Sequence, residues 1–268
     1  MKKKRLIPVL LLKNGWLVQS KRFHEYQNIG NPVMAVKRLS QWASDELIYL
    51  DISRDDVYDT RREDMAHPNR QSFFEIMEDV AKLTFMPVTI GGKIRSLDDI
   101  EGRLKLGADK VSVNSKPLDD PRFVAEAAVE FGSQCIVVSI DAKQEPGGWR
   151  VMADGGSVAT SYAATEWARM VENEGAGEIL LNSVDRDGMK AGYDIDLLNA
   201  VADAVHIPVI AMGGVGEWKH FGEALEQTSV DAVAAANVFH HVDQSVFLAK
   251  RYLYEQGLQV RPPDLLLV

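Results

Sequence analysis

The chain has 268 residues, 46 % of them hydrophobic, with a net charge of −9 and a pI near 5.2. That composition fits a large buried core, and the acidic balance argues against a nucleic-acid footprint, which would be basic. No apolar run approaches the roughly 18–20 residues that span a bilayer, and the single cysteine, Cys135, excludes an internal disulfide and fits a reducing, cytoplasmic compartment.

The chain opens on Lys2, Lys3, Lys4 and Arg5 and enters a short apolar run interrupted by Pro8 and ended by Lys13. With no small-residue cleavage site, a signal peptide is not expected. From there, apolar runs at residues 6–12, 47–52, 88–90, 110–113, 136–140, 178–181, 209–212 and 232–236 alternate with amphipathic stretches at 32–44, 71–84, 97–106, 121–131, 163–174, 194–204, 218–227 and 243–256. Each run is too short for a helix and dense enough for a strand buried on both faces. Eight strand–helix units in one chain predict a (β/α)8 TIM barrel, a single domain over residues 1–268, rather than an open sheet. Cys135 stands just before one such run and reads as a small core residue.

The two halves of the chain echo each other. Glu46-Leu47-Ile48-Tyr49-Leu50-Asp51 is matched by Glu178-Ile179-Leu180-Leu181-Asn182-Ser183, and Pro87 before Gly91-Gly92 by Pro208 before Gly213-Gly214. This predicts a two-fold half-barrel repeat. Residues 54–70 are long and charged for a strand–helix connection and are expected to form a mobile surface loop at the catalytic face. Arg261-Pro262-Pro263 ends regular structure.

Strand starts and strand ends carry different chemistry. Arg5, Glu46, Lys110 and Glu178 begin strands one, two, four and six, so they fall on the N-terminal face of a barrel. Two are basic and two acidic, a set that can close into a ring of ion pairs around the axis. At the opposite face, Gly91 and Gly92 end strand three and Gly213, Gly214 and Gly216 end strand seven. Glycine turns let backbone N–H groups approach an anion, although such a turn is also often only a turn. With Asn114 and Ser115 after strand four and Asn237 after strand eight, they make candidate phosphate sites on opposite halves. Asp141 ends strand five, where an acid is placed for proton transfer. Asp51 ends strand two, and Asp185-Arg186-Asp187-Gly188 follows strand six as a ligand site or an ordered turn. No histidine or cysteine cluster has metal spacing, since His240 and His241 are adjacent, and neither metal nor cofactor is expected.

In the runs Gly107-Ala108-Asp109-Lys110-Val111-Ser112-Val113-Asn114-Ser115, Phe131-Gly132-Ser133-Gln134-Cys135-Ile136-Val137-Val138 and Gly175-Ala176-Gly177-Glu178-Ile179-Leu180-Leu181-Asn182-Ser183, and in Asp185-Arg186-Asp187-Gly188, the chain resembles the cyclase subunit of imidazole glycerol phosphate synthase, nearly end to end. The resemblance implies a barrel docked on a glutaminase. Ammonia enters through a four-charge gate, matched by Arg5, Glu46, Lys110 and Glu178, with Asp109 facing the glutaminase. It implies phosphate-binding positions at Gly91, Gly92, Asn114, Ser115, Gly188, Gly213, Gly214 and Asn237. It also implies two catalytic aspartates. One is Asp141, with Asn114 beside it; the other falls at Leu11, which cannot carry a proton. Gln19, Asn182, Met212 and Lys93 stand where the family has lysine, threonine, serine and glycine. Altered residues above an intact gate resemble paralogues of bacterial surface-sugar pathways, in which a glutaminase and a cyclase-like barrel supply ammonia to a separate amidotransferase that makes an acetamidino group. The expected function is therefore ammonia delivery for sugar amidation. The alternatives are the ordinary cyclase of histidine biosynthesis and a scaffold that only activates the glutaminase.

Overall fold

A computed structural model describes residues 3–54, 58, 72–240 and 245–263. In chain order the elements are β1 (Arg5–Lys13), β2 (Trp16–Lys21), β3 (Glu25–Gly30), α1 (Pro32–Gln41), β4 (Leu47–Asp51), α2 (Phe73–Ala81), β5 (Val88–Gly91), α3 (Leu97–Lys105), β6 (Lys110–Val113), α4 (Ser115–Asp119) and α5 (Arg122–Phe131). They continue with β7 (Ile136–Glu145), β8 (Gly148–Ala153), β9 (Val158–Ala163), α6 (Ala164–Asn173), β10 (Glu178–Ser183), α7 (Ile195–Ala202), β11 (Val209–Met212), α8 (Trp218–Gln227), β12 (Ala232–Ala235) and α9 (Ser245–Glu255). Eight strands, β1, β4, β5, β6, β7, β10, β11 and β12, pair in parallel, and β12 pairs back onto β1 to close the (β/α)8 barrel.

Alternation along each strand sorts side chains into two layers. On β1, Ile7, Val9 and Leu11 turn inward and pack with Ile48, Val137, Leu180, Ile210, Met212 and the alanines of β12 in an apolar cluster filling the barrel. Leu6, Leu10 and Leu12 turn outward into the larger core beneath the helices. Helix starts follow local rules. Asn31 caps α1 by accepting from Val33 and Met34 N–H, with Pro32 in the first turn, and Ser96 with Asp99 forms a capping box on α3.

Two findings go beyond the sequence reading. Segments read as connections are antiparallel hairpins: β2–β3 extends β1, and β8–β9 extends β7. The first turns at Asn14 (φ 51) and Gly15 (φ 78), the left-handed pair that two-residue hairpins favour. The hairpins sit on the first strand of each half, so they share the two-fold repeat. The repeat itself needs a correction of one residue. Leu47 and Ile179 each follow a ring glutamate and pair with Val88 and Val209. Gly91 is therefore level with Met212, and Gly92 with Gly213. A Cβ on Gly92 would lie 2.2 Å from the Asp51 carbonyl oxygen, and one on Gly213 would lie 2.9 Å from that of Ser183. These carbonyls occupy equivalent places, and each forces glycine there. Of the charged stretch 54–70, all but Arg54 and Tyr58 lies outside the described residues, as do His241 and the first two residues of the 243–256 stretch. Among the described residues, no helix is long and apolar enough to cross a membrane.

A buried ion pair ties the C-terminal helix to the base of the barrel. Lys250 Nζ on α9 lies 2.7 Å from Asp45 Oδ1 and donates to the Ala43 carbonyl at 2.8 Å, while Asp45 Oδ2 accepts the Leu6 N–H at 2.9 Å. Both side chains are nearly fully buried. Lys250→Ala leaves the buried Asp45 carboxylate with the Leu6 N–H and the more exposed Arg261 guanidinium, 3.6 Å from Oδ1. A loss of about 3–5 kcal/mol is expected in urea unfolding; a loss below about 1 kcal/mol would show that the pair is not structural.

Candidate functional site

The base of the barrel carries the four charges that begin strands. Arg5 Nη1 donates to Glu46 Oε1 at 2.8 Å and Nη2 donates to Glu178. Lys110 Nζ reaches Glu46 Oε2 at 3.2 Å and Glu178 Oε2 at 2.8 Å. Each cation thus bridges both carboxylates and each carboxylate bridges both cations, which closes a ring with no net charge. Burial works against the Arg5 guanidinium, but Glu178 and Glu46 outweigh it and its pKa is raised. Asp109 is exposed beside Lys110, with its carboxylate accepting the Val88 N–H at 2.8 Å.

From Arg5 to Leu11 is six residues of one strand face, about 20 Å along the strand. The side chains between are apolar. At the mouth, Asp141 is buried, and each of its oxygens meets an amide: Asn114 Nδ2 donates to Oδ2 at 2.8 Å and Asn182 Nδ2 to Oδ1 at 3.4 Å. Asn114 precedes α4 yet makes no side-chain cap bond; its amide serves Asp141 instead. Burial pushes the Asp141 carboxyl up to about 6, the two amides pull it down, and Asp187 adds to the rise.

The repeat gives Leu11 a meaning independent of any relative. Asp141 pairs with Asn182 across β7 and β10, and Leu11 pairs with Leu50 across β1 and β4. Leu50 and Asn182 stand at the same distance from their ring glutamates, so Leu11–Leu50 is the apolar counterpart of Asp141–Asn182. At these paired positions Asp141 can exchange a proton, and Leu11 and Leu50 cannot.

Apart from Asn114, whose amide holds Asp141, the predicted phosphate residues divide into three groups. Gly188, Gly213, Gly214 and Asn237 line one small cavity at the ends of β11 and β12, together with Asp187 and Met212. Gly91 and Gly92 end β5 on the other half, where a Cβ would meet Leu50, Ser112 and Asp51. Ser115 is exposed at the start of α4. Gly188 also has a packing reason: a Cβ there would meet the Ser20 carbonyl at 2.6 Å, on the first hairpin.

Asp187, Ser20 and Lys190 are the mouth residues that the sequence does not single out individually. Asp187 Oδ2 accepts from Ser20 Oγ at 2.7 Å and from Phe23 N–H at 3.2 Å, clasping the hairpin over the mouth. Asn237 Nδ2 donates to the Ser20 carbonyl at 2.8 Å. Burial raises the Asp187 carboxyl against those bonds. The signal that could have found the hairpin is Asn14-Gly15. Gln19 lies on that hairpin opposite Gln27. Asp185 orders a loop by accepting the Gln144 N–H at 2.8 Å. Asp51 serves Ser53, Tyr58 and, at 3.8 Å, Lys93. Burial and Asp51 together hold the Tyr58 hydroxyl well above its ordinary pKa. Among the described residues, no group of three or more His, Cys, Asp or Glu side chains could hold a metal ion.

Residues 5–245 match the histidine biosynthesis protein family. Over 260 residues, 96 % of this chain and 98 % of the relative, the chain is 43 % identical to the imidazole glycerol phosphate synthase subunit HisF of Clostridium botulinum (strain Okra / Type B1). It is 42 % identical, over the same shares, to the subunit of the same name from strain Langeland / NCTC 10281 / Type F.

Asp141 yields a pH test. Its folded pKa, about 6, lies above the ordinary 3.8. Its contribution to stability is therefore full below pH 3.8 and is lost as pH rises through 6. Asp141→Asn does not titrate. Relative to wild type it should gain about 2.5 kcal/mol in urea unfolding between pH 4 and pH 8. A difference between the two proteins that stays flat with pH would refute the buried, raised carboxyl.

Proposed function

The chain belongs to the histidine biosynthesis protein family, and we propose that it is the barrel subunit of a glutamine-dependent complex of the imidazole glycerol phosphate synthase kind. In this reading a glutaminase docks on the N-terminal face near Asp109. Ammonia passes the ring of Arg5, Glu46, Lys110 and Glu178, crosses the apolar interior and reaches a phosphorylated ligand at the mouth, in the cytoplasm. The observation that carries the reading is the closed, neutral ring beneath an apolar barrel interior. Neutral ammonia can cross such an interior, whereas a bare ion is strongly disfavoured there.

For the chemistry at the mouth, the relatives' names support the cyclase role. There Asp141, held between Asn114 and Asn182, is the group that gives and takes protons, and its raised pKa suits that work near neutrality. The substrate would be the phosphoribulosyl aminoimidazole-carboxamide ribonucleotide, and the products imidazole glycerol phosphate and the aminoimidazole carboxamide ribotide.

A second reading is favoured by one specific observation, the apolar Leu11–Leu50 pair opposite Asp141–Asn182. Here the barrel keeps ammonia passage and hands the ammonia to a separate amidotransferase acting on a surface-sugar precursor. The relatives' names lend that acceptor no support. Turnover of the ribonucleotide with free ammonium separates the two. Losing half of an acid–base pair costs about two to four orders of magnitude. A rate within about tenfold of a Clostridium botulinum subunit, or ~1.4 kcal/mol of barrier, would sustain the cyclase role and sink the second reading. A rate lower by two orders or more would sustain the second reading and sink the cyclase role.

The gate has its own test, which also separates passage from scaffolding. Glu46→Ala opens the ring and leaves Lys110 and Arg5 sharing one carboxylate. Glutamine-dependent product should fall at least about tenfold (~1.4 kcal/mol), while product made from added ammonium is retained. Equal behaviour with both nitrogen sources would leave the barrel as a scaffold and remove the conduit.

A further inference from the structure

Packing alone accounts for the glycines that end β5. A Cβ on Gly91 would lie 2.7 Å from Leu50 Cδ2, and one on Gly92 would lie 2.2 Å from the Asp51 carbonyl oxygen. Arg103 Nη2 donates to the Gly92 carbonyl at 2.7 Å, and the Lys93 ammonium stands 3.8 Å from Asp51 Oδ2. An anion on this half of the mouth therefore needs another source of positive charge.

Lys13 and Arg54 supply it. Lys13 ends β1 two residues beyond Leu11 and so on the same face. The chain around it is laced to the end of β4. Ile52 N–H donates to the Leu12 carbonyl at 2.8 Å, and Asn14 N–H donates to Ser53 Oγ at 2.8 Å. Lys13 and Arg54 are the chain neighbours of that last pair, so the fold sets them side by side. The β2–β3 hairpin brings Tyr26 to the same place. Leu11 pairs with Val18 and Ser20 with Tyr26, which puts all four on one face. The Tyr26 ring packs on the apolar cluster of the barrel interior, and Lys13 Nζ stands 3.8 Å from its centre. The Tyr26 hydroxyl donates to the Phe23 carbonyl at 2.7 Å. Arg54, Asp187 and Asp141 all act on it electrostatically, so cations and acids of the mouth lie around one side chain.

Among the described residues, neither Lys13 nor Arg54 has a carboxylate partner. Asp141 and Asp187 bond elsewhere, to Asn114, Asn182, Ser20 and Phe23. Lys13 is half-buried and Arg54 exposed. Two like charges held close together cost free energy that an anion between them recovers. We propose that Lys13 and Arg54, beside Tyr26, bind a phosphate group of the ligand on the Leu11 side of the mouth. The inference rests on the reading that the ligand is phosphorylated. It moves the anion of this half from the Gly91–Gly92 turn to two side chains. A guanidinium fork and an ammonium suit a phosphate, whose oxygens can accept from both at once. Leu11 carries no proton, but the strand face it belongs to ends in a cation that anchors the ligand.

The test soaks crystals of the full chain in a concentration series of inorganic phosphate. The expected result is a phosphate in contact with both Lys13 Nζ and the Arg54 guanidinium. Lys13→Met and Arg54→Met should each weaken it by about tenfold or more, read from occupancy against concentration. Neither change breaks an ion pair, so both variants should keep urea midpoints close to wild type. No phosphate at Lys13 and Arg54 overturns the site. So does one that keeps its wild-type occupancy in either variant, which marks an adventitious ion only. The Gly213–Gly214 end is read separately in the same crystals. Phosphate there alone removes the Lys13–Arg54 site and keeps the reading of a phosphorylated ligand, and phosphate at neither end removes both.

Discussion

The two ends of this barrel are related by the strict alternation of side chains along eight parallel strands. Because the period is two, one column from each strand is committed to the interior. On β1 that column runs Arg5, Ile7, Val9, Leu11, so a single strand supplies a ring charge, two packing residues and a mouth residue in order. A slip of one residue would drive Leu6 and Leu10 inward and push Arg5 into the helix layer. The parallel pairing of β12 with β1 fixes the register. The ring at the base and the Asp141 site at the mouth are thus two consequences of one closure.

The ring is possible because its charges cancel and their hydrogen bonds are shared. Four ionised groups near a barrel axis would be costly if any one lacked a partner. Here each cation touches both carboxylates, so none depends on a single neighbour. The Lys250–Asp45 pair supports the arrangement from outside. Asp45 holds the Leu6 N–H on β1 and directly precedes Glu46, so it fixes the relative height of two strands that carry ring residues.

Much of this was legible in the sequence, for a physical reason. A strand buried on both faces must be a short, nearly continuous apolar run, and the barrel's eight strands lie where such runs lie. The ring residues were legible because a charge that opens such a run has few places to go. The hairpins were not, because β3 and β9 are half-exposed and lack a strong apolar pattern; only the left-handed Asn14-Gly15 turn marks the first. The one-residue offset in the repeat is hidden because adjacent glycines look alike in sequence, while only Gly92 and Gly213 face equivalent carbonyls. The roles of Asp187 and Asn237 depend on partners far away in the chain, chiefly Ser20, and no local pattern encodes that.

The halves of this barrel share a frame and differ at the mouth. Where β7 and β10 set a carboxylate against an amide, β1 and β4 set leucine against leucine. Burying two leucines side by side stabilises a barrel, and a buried carboxylate such as Asp141 costs free energy unless amides hold it. At this inward pair the first half follows the preference of a stable fold, and the second departs from it. Residues kept against that preference mark where a protein does chemistry. In the inward column, the departure from apolar burial falls on the β7–β10 side of this mouth. Asp141, Asn182, Asp187 and Asn237 lie along the β7–β10–β11–β12 wall, and opposite them Leu11 and Leu50 pack against each other in front of the buried Asp51.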